Sequence, residues 1–311
     1  MAFEPAEDGP FISRQERFPS VGSTNDVVRS WLAEGAPEVC LAVADEQTAG
    51  RGRNGRTWLA PAGAGLLCSI GFRPTWLSPD RAWRLAAIVS LAMADAAEEV
   101  AGLPDRAIRL KWPNDLVVET TGVAGVRLAN ATGEAANRLL DGPLDVRKVG
   151  GVLGETIGLG TADPRVIIGL GLNVDWAAAD FPAELADTMT SLRVASSGRP
   201  IDLPALFAAF IDRVEARTIA LRGGHFDIAD WVDRQLTNGR RIRLELPDGP
   251  PLETRALGVD ARSGGLVIED PAAPGGERTI LTGEIHHLRL PSSPTPTARS
   301  APRPELPAVE V

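Results

Sequence analysis

One stretch, residues 45–58, constrains this chain more than any other: Asp-Glu-Gln-Thr-Ala-Gly-Arg-Gly-Arg-Asn-Gly-Arg-Thr-Trp. Three glycines and three arginines share positions 50–56, and the run closes on Trp58. Glycine lets the backbone take positive φ and lets a ligand approach closely, at a cost in conformational entropy. Arginine supplies a rigid fork of donors matched to carboxylate and phosphate oxygens. Ordering such a loop costs roughly 1–2 kcal/mol per residue in backbone entropy. Its charges also repel one another, so it needs anions to settle. The chemistry is that of a cationic cover over an anionic ligand.

The spacing Gly50-x-Gly52-x-x-Gly55 also fits the dinucleotide-binding fingerprint, which requires a helix opening at the glycines and an acid about 20 residues later. Thr57-Trp58-Leu59-Ala60-Pro61 is no helix start, and residues 65–76 carry no acid. A phosphate-binding G-x-x-x-x-G-K-[ST] loop is absent from the sequence.

Further motifs give the loop a family context. Gln47, Gly50-Arg51-Gly52-Arg53-Asn54-Gly55-Arg56 and Trp58 resemble the biotin-binding loop of biotin protein ligases. Ser23-Thr24-Asn25 precedes it. Lys111-Trp112-Pro113-Asn114-Asp115 and Gly150-Gly151-Val152-Leu153-Gly154-Glu155 follow, leading to Gly169-Leu170-Gly171-Leu172-Asn173. Four motifs in register span about residues 20–175.

Composition narrows the class. With 32 basic and 41 acidic side chains the formal charge is 32 − 41 = −9, so the arginine cluster is a cationic island in an acidic chain. That suits a small anion better than a nucleic acid. Cys40 and Cys68 lie in apolar runs and read as buried reduced thiols, too few for a disulfide framework. No apolar run reaches 18 residues, and Glu4, Glu7 and Asp8 replace the basic start of a signal peptide. The expectation is a soluble cytoplasmic protein without membrane or DNA partners.

Along the chain, residues 1–19 read as a partly ordered lead-in. A helix starts at Ser23 or Thr24, with Val27, Val28, Trp31 and Leu32 on one face. Residues 40–44 and 65–72 are strands flanking the loop. Ser78-Pro79-Asp80 opens a buried helix running to about Val100. Residues 107–112 and 115–118 are short strands, and 149–155 and 166–174 are adjacent central ones. Helices follow over 203–221 and 226–236. Beyond Asn238-Gly239, five short strands over 240–246, 253–259, 265–269, 278–282 and 285–290 carry the texture of a small all-β barrel. Residues 291–311 hold six prolines and read as a disordered tail. Residues 119–147 insert 29 positions where the family turns back within a few, and read as a flexible hairpin extension.

The expected fold is α+β. A mixed β-sheet with helices on one side (the class II synthetase-like catalytic domain of biotin ligases) covers residues 1–235, and an SH3-like barrel covers 236–290. Ligases of this family that double as repressors carry an N-terminal helix-turn-helix of some 60 residues. Ser23-Thr24-Asn25 lies too early to leave room for one, so the expectation is an enzyme without repressor function.

The resemblance implies that biotin's carboxylate attacks the α-phosphate of ATP, giving biotinyl-5′-adenylate and pyrophosphate. A lysine of a biotin carboxyl carrier protein of an acyl-CoA carboxylase then displaces AMP. Biotin and ATP are the substrates and Mg²⁺ the expected ion, with no metal ligands assigned. Lys111 and Arg53 are expected to be catalytic. Ser23, Thr24, Asn25, Gln47, Arg51, Gly52, Arg53, Lys111, Gly150 and Gly151 are expected at biotin. Arg51, Arg53, Arg56, Trp58, Lys111 and Asn173 are expected at ATP. Asp115 either orients neighbours or helps hold the metal, and Gly154 either admits the ring or packs strands. His225, His286 and His287 lack ligand spacing and read as surface or barrel residues. A monomer or weak homodimer is expected. Two alternatives stand beside this: a lipoate–protein ligase of the same fold, and a non-catalytic anion-binding module. The double-arginine loop and the barrel favour biotin, and Lys111 favours an enzyme.

Overall fold

Glycine- and β-branched-rich runs with no polar face must be buried on both sides, and two such runs form the middle of the fold. The structure, a computed structural model, describes residues 10–119, 140, 144–247 and 249–287. The tail beyond 290, the first nine residues and residues 120–139 and 141–143 of the 119–147 insertion lie outside that set. β2 (Cys40–Ala44) and β3 (Gly65–Phe72) are buried at every position. With β1 (Arg14–Phe18), β4 (Ile108–Lys111), β5 (Asp115–Glu119), β6 (Val146–Ile157) and β7 (Arg165–Asn173) they make a seven-stranded sheet ordered β1-β2-β3-β7-β6-β5-β4. Only β1–β2 is parallel; the other pairs are antiparallel. The sheet is therefore mixed.

β1 falls inside the segment read as a lead-in. Its sequence, Arg-Gln-Glu-Arg-Phe, has no apolar alternation because it is an exposed edge strand, held by register with β2 instead of by burial. β6 and β7 are adjacent and central, as the sequence indicated.

α2 (Trp83–Ala101) and α4 (Leu203–Arg222) cover one face, through Leu85, Ile88 and Leu91 from the first and Leu206, Phe210 and Val214 from the second. α1 (Thr24–Ala33) takes the opposite face, packing Val28, Trp31 and Leu32 on Cys40, Ala42 and Ile167. Helices thus occupy both faces, not one. Small residues explain the difference: a Cβ at Gly71 would lie 2.6 Å from the Val28 side chain, so α1 sits where only glycine leaves room. Two short helices, α3 (Leu192–Ala195) and α5 (Ile228–Asp233), complete the domain. The helix expected over 226–236 is this shorter one, because the backbone after it is captured by β4: Leu110 N–H donates to Arg234 O and Leu236 N–H to Leu110 O, each at 2.8 Å. Tertiary pairing overrides helical propensity there. Among the described residues no helix is long and apolar enough to cross a membrane.

The five C-terminal strands form where the sequence placed them. β8 (Arg241–Glu245), β9 (Leu252–Val259), β10 (Leu266–Glu269), β11 (Glu277–Ile280) and β12 (Glu284–His287) make an antiparallel sheet ordered β11-β10-β9-β8-β12. Its core of Ile242, Leu244, Ala256, Leu266, Ile268, Ile280 and Ile285 also admits Trp112, from the turn after β4. Two indoles grip one loop of this sheet. Trp112 Nε1–H donates to Gly264 O, and Trp83 Nε1–H to Arg262 O, both at 3.1 Å.

Arg234 ties the helices to β4. It is nearly fully buried and donates to Glu98 Oε1 at 2.8 Å, to Ile108 O at 2.9 Å and to Asp95. Glu98 in turn accepts from Ile108 N–H at 2.8 Å. Removing one partner of a buried ion pair leaves an uncompensated charge and costs about 3–5 kcal/mol. Arg234→Ala should destabilise the fold by that amount in urea unfolding, whereas replacing Arg234 and Glu98 together with apolar residues should cost less than either single change.

Candidate functional site

The site lies on the α1 face of the sheet, where the central strands are stripped of side chains. Ser69 of β3, Gly169 of β7 and Leu153 of β6 lie in one cross-strand row; Leu67, Gly171 and Gly151 lie in the next. The glycines make a trough. A Cβ at Gly169 would stand 2.2 Å from Asn25 Oδ1, and one at Gly171 would stand 2.5 Å from the Trp58 indole. The trough opens into a cleft that reaches from Ser23 and Gln47 to Lys111 and Glu284.

Its floor is a buried hydrogen-bonded chain. Ser23 begins α1 with extended backbone, but its hydroxyl makes no capping bond; it is buried and lines the cleft. Gln47 Oε1 accepts from Thr24 N–H at 2.8 Å and lies 3.1 Å from Thr24 Oγ1. Thr24 Oγ1 lies 2.6 Å from Ser69 Oγ, which donates to Asn25 Oδ1 at 2.6 Å. Asn25 Nδ2 donates to Glu155 Oε1 at 2.8 Å. Each member is held by another, so the rotamers are fixed before any ligand arrives.

The arginine loop folds back as a tight hairpin over this floor. Gly52 N–H donates to Arg56 O at 2.7 Å, Trp58 N–H to Gly50 O at 3.0 Å, and Asn54 takes left-handed backbone at φ 56°. The anions that settle it come from the chain itself. Asp26 receives both Arg51 terminal nitrogens at 2.7 Å, and Glu284 of β12 receives Arg56 at 2.5 Å. Arg53 differs: among the described residues it makes no ion pair, only contacts to Asn114 Oδ1 at 3.4 Å and Gly283 O at 3.2 Å. Burial disfavours its charge. It is the loop guanidinium with the most unmet charge.

Opposite the loop stand two ammonium groups. Lys111, at the end of β4, lines the cleft, and burial pulls its pKa below the ordinary 10.5 against the opposing pull of Asp115 and Glu284. Lys148 of β6 pairs with Asp115 at 2.7 Å and lies 5.4 Å from the Trp58 ring centre. Trp58 lies on Gly171 with its indole N–H buried and unpartnered. Burial lifts the Cys68 thiol to about 12, and its side chain packs in the core on the α2 face, so it is no nucleophile for the cleft.

Ser23, Thr24, Asn25, Gln47, Arg51, Gly52, Arg53, Arg56, Trp58, Lys111 and Gly151 line one cleft. Two expected residues do not. Gly150 packs on β7, where a Cβ would meet the Leu172 side chain at 2.8 Å and Gly171 O at 2.9 Å. Asn173 is buried and turns its amide to Thr190 O at 3.0 Å. Sequence reasoning missed Ser69, Lys148, Asn114, Gly169, Gly171 and Glu284 as cleft or floor residues. Lys148 and the glycines carried a signal, since they belong to the motif strands; Ser69 and Glu284 are brought in by register and by the second sheet. Among the described residues no three His, Cys, Asp or Glu side chains cluster as metal ligands.

Comparison with known proteins agrees with this geometry. A model of the biotin/lipoate A/B protein ligase family matches residues 18–173. The chain is 32% identical over 272 residues to the biotin–[acetyl-CoA-carboxylase] ligase of Mycobacterium tuberculosis, covering 86% of each. The chain belongs to the biotin/lipoate A/B protein ligase family. It is 33% identical over 251 residues to the bifunctional ligase/repressor BirA of Bacillus subtilis, covering 80% of this chain and 67% of that one. Among solved structures it resembles the biotin protein ligase from Aquifex aeolicus in complex with biotin and ATP. That match has a TM-score of 0.65 and 25% identity, covering 90% of this chain and 100% of the other.

The trough generates a test. Gly171→Ala should push Trp58 off its seat and weaken ligand binding in the cleft by at least tenfold, read from quenching of tryptophan fluorescence on titration. A Gly154→Ala control, where a Cβ meets only the Ile168 side chain at 3.6 Å, should bind normally.

Proposed function

We propose that this chain is an ATP-dependent biotin protein ligase that forms biotinyl-5′-adenylate and passes the biotinyl group to a lysine of a biotin carboxyl carrier protein. The observation carrying this reading is the conjunction of a largely buried polar floor, held by its own hydrogen bonds at Thr24, Asn25 and Ser69, with an uncommitted guanidinium and a half-buried ammonium in one cleft. A ureido ring needs matched donors and acceptors, since a buried polar group left unpaired costs about 1–3 kcal/mol. The Ser23–Gln47 floor supplies them; the glycine trough, flanked by Leu153 and Trp58, suits an aliphatic chain.

In the first step a carboxylate oxygen bonds to the α-phosphorus and the bond to pyrophosphate breaks. Two anions must approach, and negative charge gathers on the phosphoryl oxygens. Lys111 and Arg53 meet that charge from opposite walls. Lys148, steered by Asp115, adds a second ammonium on the Lys111 side. Arg56 can exchange Glu284 for phosphate oxygens. MgATP is the nucleotide substrate, its ion carried by the phosphates. In the second step the acceptor amine attacks the acyl carbon, AMP leaves with the bonding pair, and the same cations stabilise the departing phosphate. Closure of the hairpin keeps water from the mixed anhydride meanwhile.

ATP–pyrophosphate exchange measured in parallel with biotin and with lipoate decides the substrate. Exchange with biotin and none with lipoate is expected, and a response to lipoate alone would overturn the reading. Lys111→Ala should cut the exchange rate by at least a hundredfold while calorimetric biotin affinity changes far less, because the charge acts mainly as the phosphoryl group reacts. Its ammonium must be protonated, so exchange should fall as pH rises through the lowered Lys111 pKa, on the acid side of 10.5. Lys111→Arg should carry that alkaline limb to higher pH, whatever its effect on the maximum.

A further inference from the structure

Floor and cover of the cleft are tied to the same two carboxylates. Asp26, the third residue of α1, holds Arg51 through two bonds of 2.7 Å, Nη1 to Oδ2 and Nη2 to Oδ1. Bidentate pairing of this kind fixes both distance and plane. Arg29, nearly one turn on, reaches Asp26 and also Glu155 of β6. Glu155 in turn lies 3.6 Å from Arg51 and accepts the Asn25 amide at 2.8 Å.

That last bond sets the polarity of the floor. With Asn25 Nδ2 given to a carboxylate, Asn25 Oδ1 faces Ser69, which spends its single proton there. The 2.6 Å contact between Ser69 and Thr24 then takes Thr24's proton. Gln47 Oε1 is left resting chiefly on Thr24 N–H, with its own amide hydrogens unspent. A charge on β6 thus decides which floor groups donate and which accept.

We infer that Asp26 and Glu155 are a latch that positions cover and floor together: Asp26 holds the arginine hairpin down on α1 through Arg51, and Glu155 orients the floor through Asn25. Both are positioning residues; neither lines the cleft. Arg51 is accordingly the hinge pin of the cover, and Arg53, with Arg56 on exchange of Glu284, is left to meet phosphate. The consequence is retention of the reactive intermediate, which rests on the biotin ligase reading.

The pair is half-exposed, with Arg51 at 38% and Asp26 at 46% of full side-chain accessibility. Salt therefore weakens it, since screening length falls from about 8 Å at 0.15 M to about 3 Å at 1 M. A latch of this kind has a salt signature that a packing role lacks.

The test uses the full chain with biotin, MgATP and a biotin carboxyl carrier domain. Asp26→Asn should keep biotin-dependent pyrophosphate exchange within about twofold. It should release at least tenfold more free biotinyl-adenylate per acceptor labelled, seen as biotin on bystander lysines. Asp26→Glu should restore retention. Arg51→Gln should leak as much, and the double variant no more than either single, the mark of one shared interaction. Raising salt to about 1 M should bring the wild type toward the variant while the variant's leak stays flat. Normal exchange with unchanged retention in Asp26→Asn would overturn the latch and leave the ligase assignment standing. If the wild type shows no biotin-dependent exchange, the ligase reading fails, and limited proteolysis at residues 51–56 tests the latch alone: faster cleavage of Asp26→Asn supports it, equal cleavage overturns it.

Discussion

Like charges crowded into a cleft must be balanced before they can be used, and the rest of this site depends on how that balance is made. Arg51, Arg53, Arg56, Lys111 and Lys148 all line one cavity. The balancing carboxylates are Asp26 on α1, Glu155 on β6, Asp115 on β5 and Glu284 on β12. They come from four separate elements, so the charge pattern exists only in the folded chain. The balance is uneven by construction. Arg51 and Lys148 are closely paired, Arg56 is paired at a quarter-exposed Glu284, and Arg53 has no ionic partner among the described residues. An incoming anion therefore finds its strongest attraction where compensation is weakest. The site directs its ligand by what it leaves unpaired.

Glycine plays the complementary part on the sheet. Gly71 admits α1 against β3, Gly169 admits Asn25, and Gly171 admits Trp58. Each is a place where a side chain of the sheet has been removed so that one from elsewhere can lie on it. Burying backbone this closely forgoes side-chain packing, and the glycines also weaken the strands that carry them. The antiparallel register over β3, β7 and β6 offsets that loss with continuous ladder bonding.

The fold was legible in the sequence where periodicity and punctuation coincided: α1, α2, α4, β2, β3, the β6–β7 pair and the five C-terminal strands. It was illegible where tertiary context decides. β1 has no apolar alternation because only its edge pairing defines it. α5 stops early because Leu110 captures the backbone beyond it. The same division runs through the site. Ser23-Thr24-Asn25, the arginine loop and Lys111 lie in contiguous motifs whose residue types state their chemistry. Ser69 is one serine in an apolar strand, and becomes the centre of the floor only because register sets it beside Gly169 and under Asn25. Glu284 is some 230 residues from the arginine it meets. Asn173, a polar residue at a strand end, lies outside the cleft lining, with its Nδ2 donating to Thr190 O.

The link between the two sheets carries this one step further. Lys111 is followed by Trp112, whose indole is a member of the second sheet's core and donates to Gly264 in its loop. Glu284 and Gly283, from the same sheet, meet Arg56 and Arg53. The second sheet therefore touches the reaction cleft on both sides: through the residue after the ammonium on one wall, and through the guanidinium groups of the cover on the other. Contact with both walls spaces the Lys111 strand end from the arginine hairpin. The small sheet contributes few groups to the cleft itself. Its contribution is support, one sheet holding both a strand end and a loop hairpin of the larger sheet by its contacts.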